Sequence, residues 1–163
     1  MEKIEIVINP ECITERVCRE SALLSKSRFA IGIPDALADI IPVTGDEYDI
    51  VEKFIEKKLG DIVSSIGHYM PMCTLTTRGD KKHTLTLTIP HNYPTENIGK
   101  LKSSIEEILF SGAMLEWSLL IKPDEANIHM NKVNETTAHL RALLSERKRP
   151  GIEKTERGNI IEI

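Results

Sequence analysis

Aromatic side chains are scarce in this chain: three Phe, three Tyr and one Trp make up 4% of 163 residues. Any core must therefore be built from Ile, Leu, Val and Met. A basic excess is also missing. The 21 Lys and Arg against 25 Asp and Glu give a formal net charge of −4, which excludes a protein that coats nucleic acid through bulk charge. Apolar runs are short. Leu119-Leu120-Ile121 is typical, whereas a membrane span needs roughly 20 such residues, so no membrane partner is expected. Cysteines number three, Cys12, Cys18 and Cys73. An odd count at no metal-ligand spacing reads as reduced thiols of an intracellular protein, not as a disulfide framework. Met1-Glu2-Lys3-Ile4-Glu5 carries charges where a secretory leader would be apolar.

Catalytic signatures are missing as well. The nine glycines are scattered and form no phosphate-cradling loop, and no G-x-S-x-G elbow occurs. His68, His83, His91, His129 and His139 form no H-x-x-x-H pair, so a zinc site has no support. Asp46, Glu47, Asp49 and Glu52 cluster without calcium-loop spacing and read as the acidic first turn of a helix. Cys73 has no basic neighbour to lower its pKa; Cys12, in a helix's first turn, has no partner base. The expectation is a chain with no catalytic residues, no metal and no cofactor.

What is present is 40% apolar and 28% charged residues, enough for a domain of this length to bury roughly two-thirds of its unfolded surface. Ile4, Ile6 and Ile8 alternate with Lys3, Glu5 and Val7, a short strand. Asn9-Pro10 supplies a cap and a first helical residue for a helix to about Lys26, with Ile13, Val17 and Leu24 along one side. Thr44-Gly45-Asp46-Glu47 fits a capping box, and Tyr48, Val51, Ile55, Leu59, Ile62 and Ile66 then step by three or four. Cys73–Arg78 and His83–Ile89 read as a hairpin around Gly79-Asp80-Lys81-Lys82, with Thr84, Thr86 and Thr88 as a ladder, solvated or in contact with another subunit, opposite buried Leu85, Leu87 and Ile89. A long helical hairpin follows. Ile98, Leu101, Ile105, Ile108, Gly112, Leu115 and Leu119 form one heptad-like seam; Ala126, Met130, Val133, Thr137, Leu140 and Leu144 form the other. The expected fold is α+β, mainly α: a helical bundle with this long antiparallel hairpin, a β-hairpin and strand-like termini.

Two apolar stretches stand outside these elements. Phe29, Ile31, Ile33, Leu37, Ile40, Ile41 and Val43 lie in a segment broken by Gly32, Pro34 and Pro42. So many apolar residues in a loop need cover, from the core or from a neighbouring subunit. Ile160, Ile161 and Ile163 follow a polar stretch and are expected either to pair with a strand such as Lys3–Ile8 or to reach a neighbour by strand addition. Arg147, Lys148 and Arg149 form a basic triplet at a helix end. It reads as dipole stabilisation or as a contact to DNA phosphate or an acidic neighbour.

The order of parts is strand, helix, the acidic-capped helix from Gly45-Asp46-Glu47-Tyr48-Asp49, a threonine-rich hairpin, a long helix ending Leu115-Glu116-Trp117-Ser118-Leu119, and a last helix ending Leu144-Ser145-Glu146-Arg147-Lys148-Arg149-Pro150. Over roughly residues 45–150 this resembles small proteins of gut tailed bacteriophages and prophages, the crAss-like phages included, that look like head–tail connector (neck or ring) proteins. Better-known connectors are almost wholly helical, so the strand hairpin is a departure. The resemblance implies a virion structural protein, assembled in the host cytoplasm, with residues 1–150 as one connector-like domain and 151–163 as an extended C-terminal arm. Its partners would be identical copies in a ring of roughly a dozen, portal and tail or neck proteins, and packaged DNA as a non-specific contact. Rival readings are a small cytosolic adaptor or inhibitor module, an enzyme whose site assembles Cys73 or His83 near His91, and a DNA-binding regulator, the last disfavoured by the net charge.

Overall fold

The computed structural model describes residues 2–30, 43–70, 72–77, 79, 82–121 and 123–147, the side chains of 25–30 and 125 excepted. Strand β1 (Glu2–Ile8) leads into α1 (Pro10–Ala30), which starts where Asn9 Oδ1 accepts the Glu11 N–H at 3.2 Å. A 3-10 turn over Gly45–Glu47 opens α2 (Tyr48–Gly67). The expected capping box between Thr44 and Glu47 is present. The Thr44 N–H donates to Glu47 Oε2 at 2.8 Å, while the Thr44 hydroxyl turns to the same oxygen. Strands β2 (Cys73–Thr77) and β3 (His83–Ile89) precede the helical hairpin of α3 (Asn97–Ile121) and α4 (Ala126–Ser145), joined through a 3-10 turn at Pro123–Glu125.

The sheet is antiparallel with β3 in the middle and order β1-β3-β2. Register follows the period-two pattern: Ile4 lies opposite Leu87, Ile6 opposite Leu85 and Ile8 opposite His83, while Leu75 faces Leu85 from the other side. One face of the sheet therefore carries the apolar residues toward the helices. The opposite face carries Lys3, Glu5, Val7, Thr74, Thr76, Thr84, Thr86 and Thr88. The expected solvated ladder is corrected here, because β3 is flanked on both sides. Thr84 is only 3% exposed, and Thr86 and Thr88 are half-buried.

Helix α3 organises the rest. Residues 108–114 are buried at every position, two turns of helix with no solvent side, because α1, α2 and α4 all pack on it. Ser111, Gly112 and Ala113 keep this stretch narrow. The Lys58 side chain of α2 lies across Gly112, where an added Cβ would stand 2.9 Å from both Cγ and Cε. Helix α2 presents Val51, Ile55, Leu59, Ile62 and Ile66 to the core as its spacing predicts. These join the sheet residues, Ile13 and Val17 of α1, and Leu140, Leu143 and Leu144 of α4 in one continuous cluster.

Four expected face positions fail in the same way. Leu24, Tyr48, Leu119 and Met130 are exposed, since only part of each helix overlaps the core. On α1 the buried side is Ile13, Thr14, Val17 and Ser21, and Ser21 Oγ accepts the Val43 N–H at 3.0 Å. Val43, the last residue of the apolar stretch in the sequence, is thus buried in the chain's own core. Replacing Gly112 by Val is expected to cost about 1–3 kcal/mol by overpacking, and the loss should shrink in a Lys58→Ala background. Urea unfolding of the four proteins in that cycle measures the coupling.

Candidate functional site

A three-helix ion network sits beside the core. Glu107 of α3 accepts from Arg16 of α1 at 2.8 Å through Oε2 and from Lys132 of α4 at 2.6 Å through Oε1. The Arg16 guanidinium also stacks 3.8 Å from the ring centroid of Phe110, one turn along α3, with the Lys132 ammonium 5.8 Å away. Burial is the largest influence on Glu107 and pushes its pKa up; the hydrogen bonds from Lys132 and Arg16, with their charges, outweigh it and leave the carboxyl below its usual range. Sequence reading missed this group because residues 16, 107 and 132 are far apart along the chain. The one local signal was Glu107 and Phe110 three apart on a helix.

An open groove of about 630 Å³ runs beside that network between α3 and α4, where Lys100, Ser103, Thr136 and His139 line it with Glu107. A smaller hollow of about 260 Å³ lies between α2 and the sheet. There Asp49, Glu52 and Glu56, which share one face of α2, look toward His83 and Thr77, and the Thr77 hydroxyl is 3.0 Å from His83 Nδ1. Among the described residues no group of three His, Cys, Asp or Glu is placed to hold a metal ion. Asp46 is exposed and Glu47 is committed to Thr44, so the acidic turn does not gather into one site. Hydrogen bonds from the Thr44 hydroxyl and N–H hold Glu47 below the usual carboxylate range.

The residues of the cysteine–histidine reading are divided by the sheet: His83 and His91 lie at opposite ends of β3. Cys73 begins the edge strand β2 and pairs with Leu87, His83 begins β3, and His91 lies two residues past the other end of β3. Burial pushes the Cys73 thiol up, away from thiolate character. Cys12 is exposed, and Asn9 Nδ2 approaches its sulfur at 3.2 Å.

The end of α4 is tied to the β3–α3 connection. Asn97 donates to the Glu146 carboxylate, and Arg147 lies 5.9 Å from the Tyr93 ring centroid. The Arg147 guanidinium donates to the carbonyls of Leu144 at 2.8 Å and Glu146 at 2.6 Å, the helix-end arrangement expected of a cation there. Lys148 and Arg149 lie outside the described residues, as do Ile31, Ile33, Leu37, Ile40, Ile41, Ile160, Ile161, Ile163 and the side chain of Phe29. Tyr93 is fully buried, and its hydroxyl has no hydrogen-bond partner among the described residues. Burial first, then the Glu146 charge, raise its pKa to about 12, with Arg147 acting against them.

Surfaces that can meet another molecule lie elsewhere. Among the described residues β1 and β2 each pair on one side only, leaving two sheet edges with free N–H and C=O groups. At the turn of the helical hairpin Leu119, Leu120 and Ile128 are exposed, Ile128 at 71%. No helix of the described residues is long and apolar enough to cross a membrane. No protein-family model matches the chain, and no curated protein or solved structure is significantly similar to it.

Glu107→Gln is expected to lose about 1 kcal/mol at neutral pH, the scale of a partly exposed ion network. Because the native pKa of Glu107 lies below its unfolded value of about 4.3, that contribution is present above the unfolded pKa. It disappears as pH falls through the native one. Wild type and variant should therefore converge in acid, as pH-dependent urea midpoints would record. Tyr93→Phe removes an unpaired buried hydroxyl and should be neutral or stabilising by up to about 1 kcal/mol at pH 8. Its second effect is alkaline. A native pKa near 12 against an unfolded value of about 10 means stability lost as pH rises through that interval. The variant should lack this loss in thermal melts at pH 8 and 11.

Proposed function

We propose that this chain is a non-catalytic structural subunit of a tailed bacteriophage, a head–tail connector or neck-ring protein that joins portal to tail around the DNA path. The observation that carries the reading is the exposed aliphatic tip of the helical hairpin, Leu119, Leu120 and Ile128, standing off a body whose core is continuous from sheet to helices. A ring subunit needs a rigid body with different surfaces on its two flanks, since head-to-tail contacts close when the rotation per subunit allows it. The hairpin tip supplies one such surface. The exposed edge of β2 supplies another, set apart from it along the chain. The likeness in order of parts over residues 45–150 supports the same reading.

Light scattering at several concentrations, with negative-stain images of the same samples, tests it. Rings or partial rings of roughly a dozen copies are expected, and Ile128→Asp should abolish them while leaving the circular dichroism unchanged. A protein that stays monomeric at every concentration, in wild type and variant alike, contradicts ring formation. That result favours the adaptor reading, which uses the same exposed apolar residues to bind a different partner.

A further inference from the structure

Strand β2 is an edge, and its backbone groups are sorted by side. Cys73 lies opposite Leu87, and the Met72 carbonyl accepts the Thr88 N–H at 3.2 Å. Hydrogen-bonding residues alternate along an antiparallel pair, so Thr74 and Thr76 also turn their N–H and C=O groups toward β3. Cys73, Leu75 and Thr77 then turn theirs outward, and among the described residues no strand receives them. The side chains of these three residues lie on the helix side of the sheet, in register with Leu87, Leu85 and His83. A strand added at this edge pairs directly with Cys73, Leu75 and Thr77 and sets its own alternate side chains beside α2.

What those side chains meet changes along the edge. Helix α2 packs on β2, where Cys73 lies against the core and Leu75 is 36% exposed. Next to Thr77 is the hollow of about 260 Å³ lined by Asp49, Glu52, Lys53 and Glu56 of α2 with His83 of β3. Three carboxylates there face one ammonium. Glu52 has a partner of its own, whereas Asp49 and Glu56 are exposed and form no ion pair among the described residues. His83 is only 6% exposed; its Nδ1 faces the Thr77 hydroxyl, and its Nε2 has no partner among the described residues. With Nδ1–H donating to that hydroxyl, Nε2 is an acceptor. A buried ring nitrogen and two unpaired carboxylates at the end of an open edge call for one chemistry, a positively charged N–H donor.

We propose that the edge of β2 binds an extended basic segment of another protein. The segment adds as an antiparallel strand, with Arg or Lys across from Thr77 and an apolar residue across from Leu75. Its cation enters the acidic hollow, and its apolar side chain covers Leu75. The net charge of −4 works against a second copy of this chain at an acidic site. Binding of this kind takes from the connector reading only the use of β2 as a contact edge, and holds for a monomer as for a ring.

Amide NMR spectra of the full chain, titrated to millimolar concentration with a synthetic peptide Thr-Arg-Thr-Val-Thr-Val-Thr, test it. The Cys73, Leu75 and Thr77 amides should shift. Asp49→Asn and Glu56→Gln, each with unchanged circular dichroism, should weaken binding by roughly two- to fivefold, and a peptide with Glu in place of Arg should bind more weakly still. No shift at these amides, equal affinity for the two peptides, or shifts confined to β1 overturns the proposal. Shifts at the β2 amides that grow with protein concentration alone overturn it too, because the strand then comes from a second copy. Light scattering on the same samples reads ring formation separately. Peptide binding without rings contradicts the connector reading alone, and rings without peptide binding contradict this proposal alone.

Discussion

Everything in this fold depends on burying α3 from all sides. Over residues 108–114 the helix has no exposed position, so it can exist only when α1, α2 and α4 are already against it. Small residues at 111–113 let those neighbours approach, and the Lys58 stem fills the space that Gly112 leaves. The sheet then needs only one apolar face, because among the described residues no layer covers the other. This is why β1 and β3 alternate so regularly and why the threonines collect on one side.

The polar groups serve the same arrangement. Glu107 joins α1, α3 and α4 at a single carboxylate, and Lys57 of α2 reaches Glu116 of α3 at 3.0 Å. Partly exposed pairs of this kind add little stability individually. Their geometry fixes which face of each helix turns inward. The contacts of Asn97 and Tyr93 with Glu146 and Arg147 do the equivalent at the far end of α4, and so determine where the following chain starts.

Elements were legible in the sequence and their arrangement was not. Period-two isoleucines, the spacing from Val51 to Ile66 and the Asn9 and Thr44 starts marked strands and helices, since these signals act over a few residues. The fold class, α+β and mainly helical, followed from their order. The position of β1 beside β3 did not, because pairing between residues 75 to 87 apart leaves no local trace. Seam positions such as Leu119 and Met130 were misplaced for a related reason: heptad spacing shows which residues share a face, but not how far the partner extends. Arg147 had the helix-terminal geometry its position implies, while the apolar segments at 29–41 and 160–163 fall where no side chains are described. The Glu107 network was invisible because its three residues come from three helices.

The central claim is that α3 is the last element to open, with the sheet edges and hairpin tip as attached surfaces. Native-state hydrogen exchange across a urea series tests it most directly. The account predicts that amides of residues 105–114 exchange only through global unfolding, with a free energy and urea dependence equal to those of the equilibrium transition. Exchange of these amides through a smaller opening, while α1 or α4 stays protected, would contradict it.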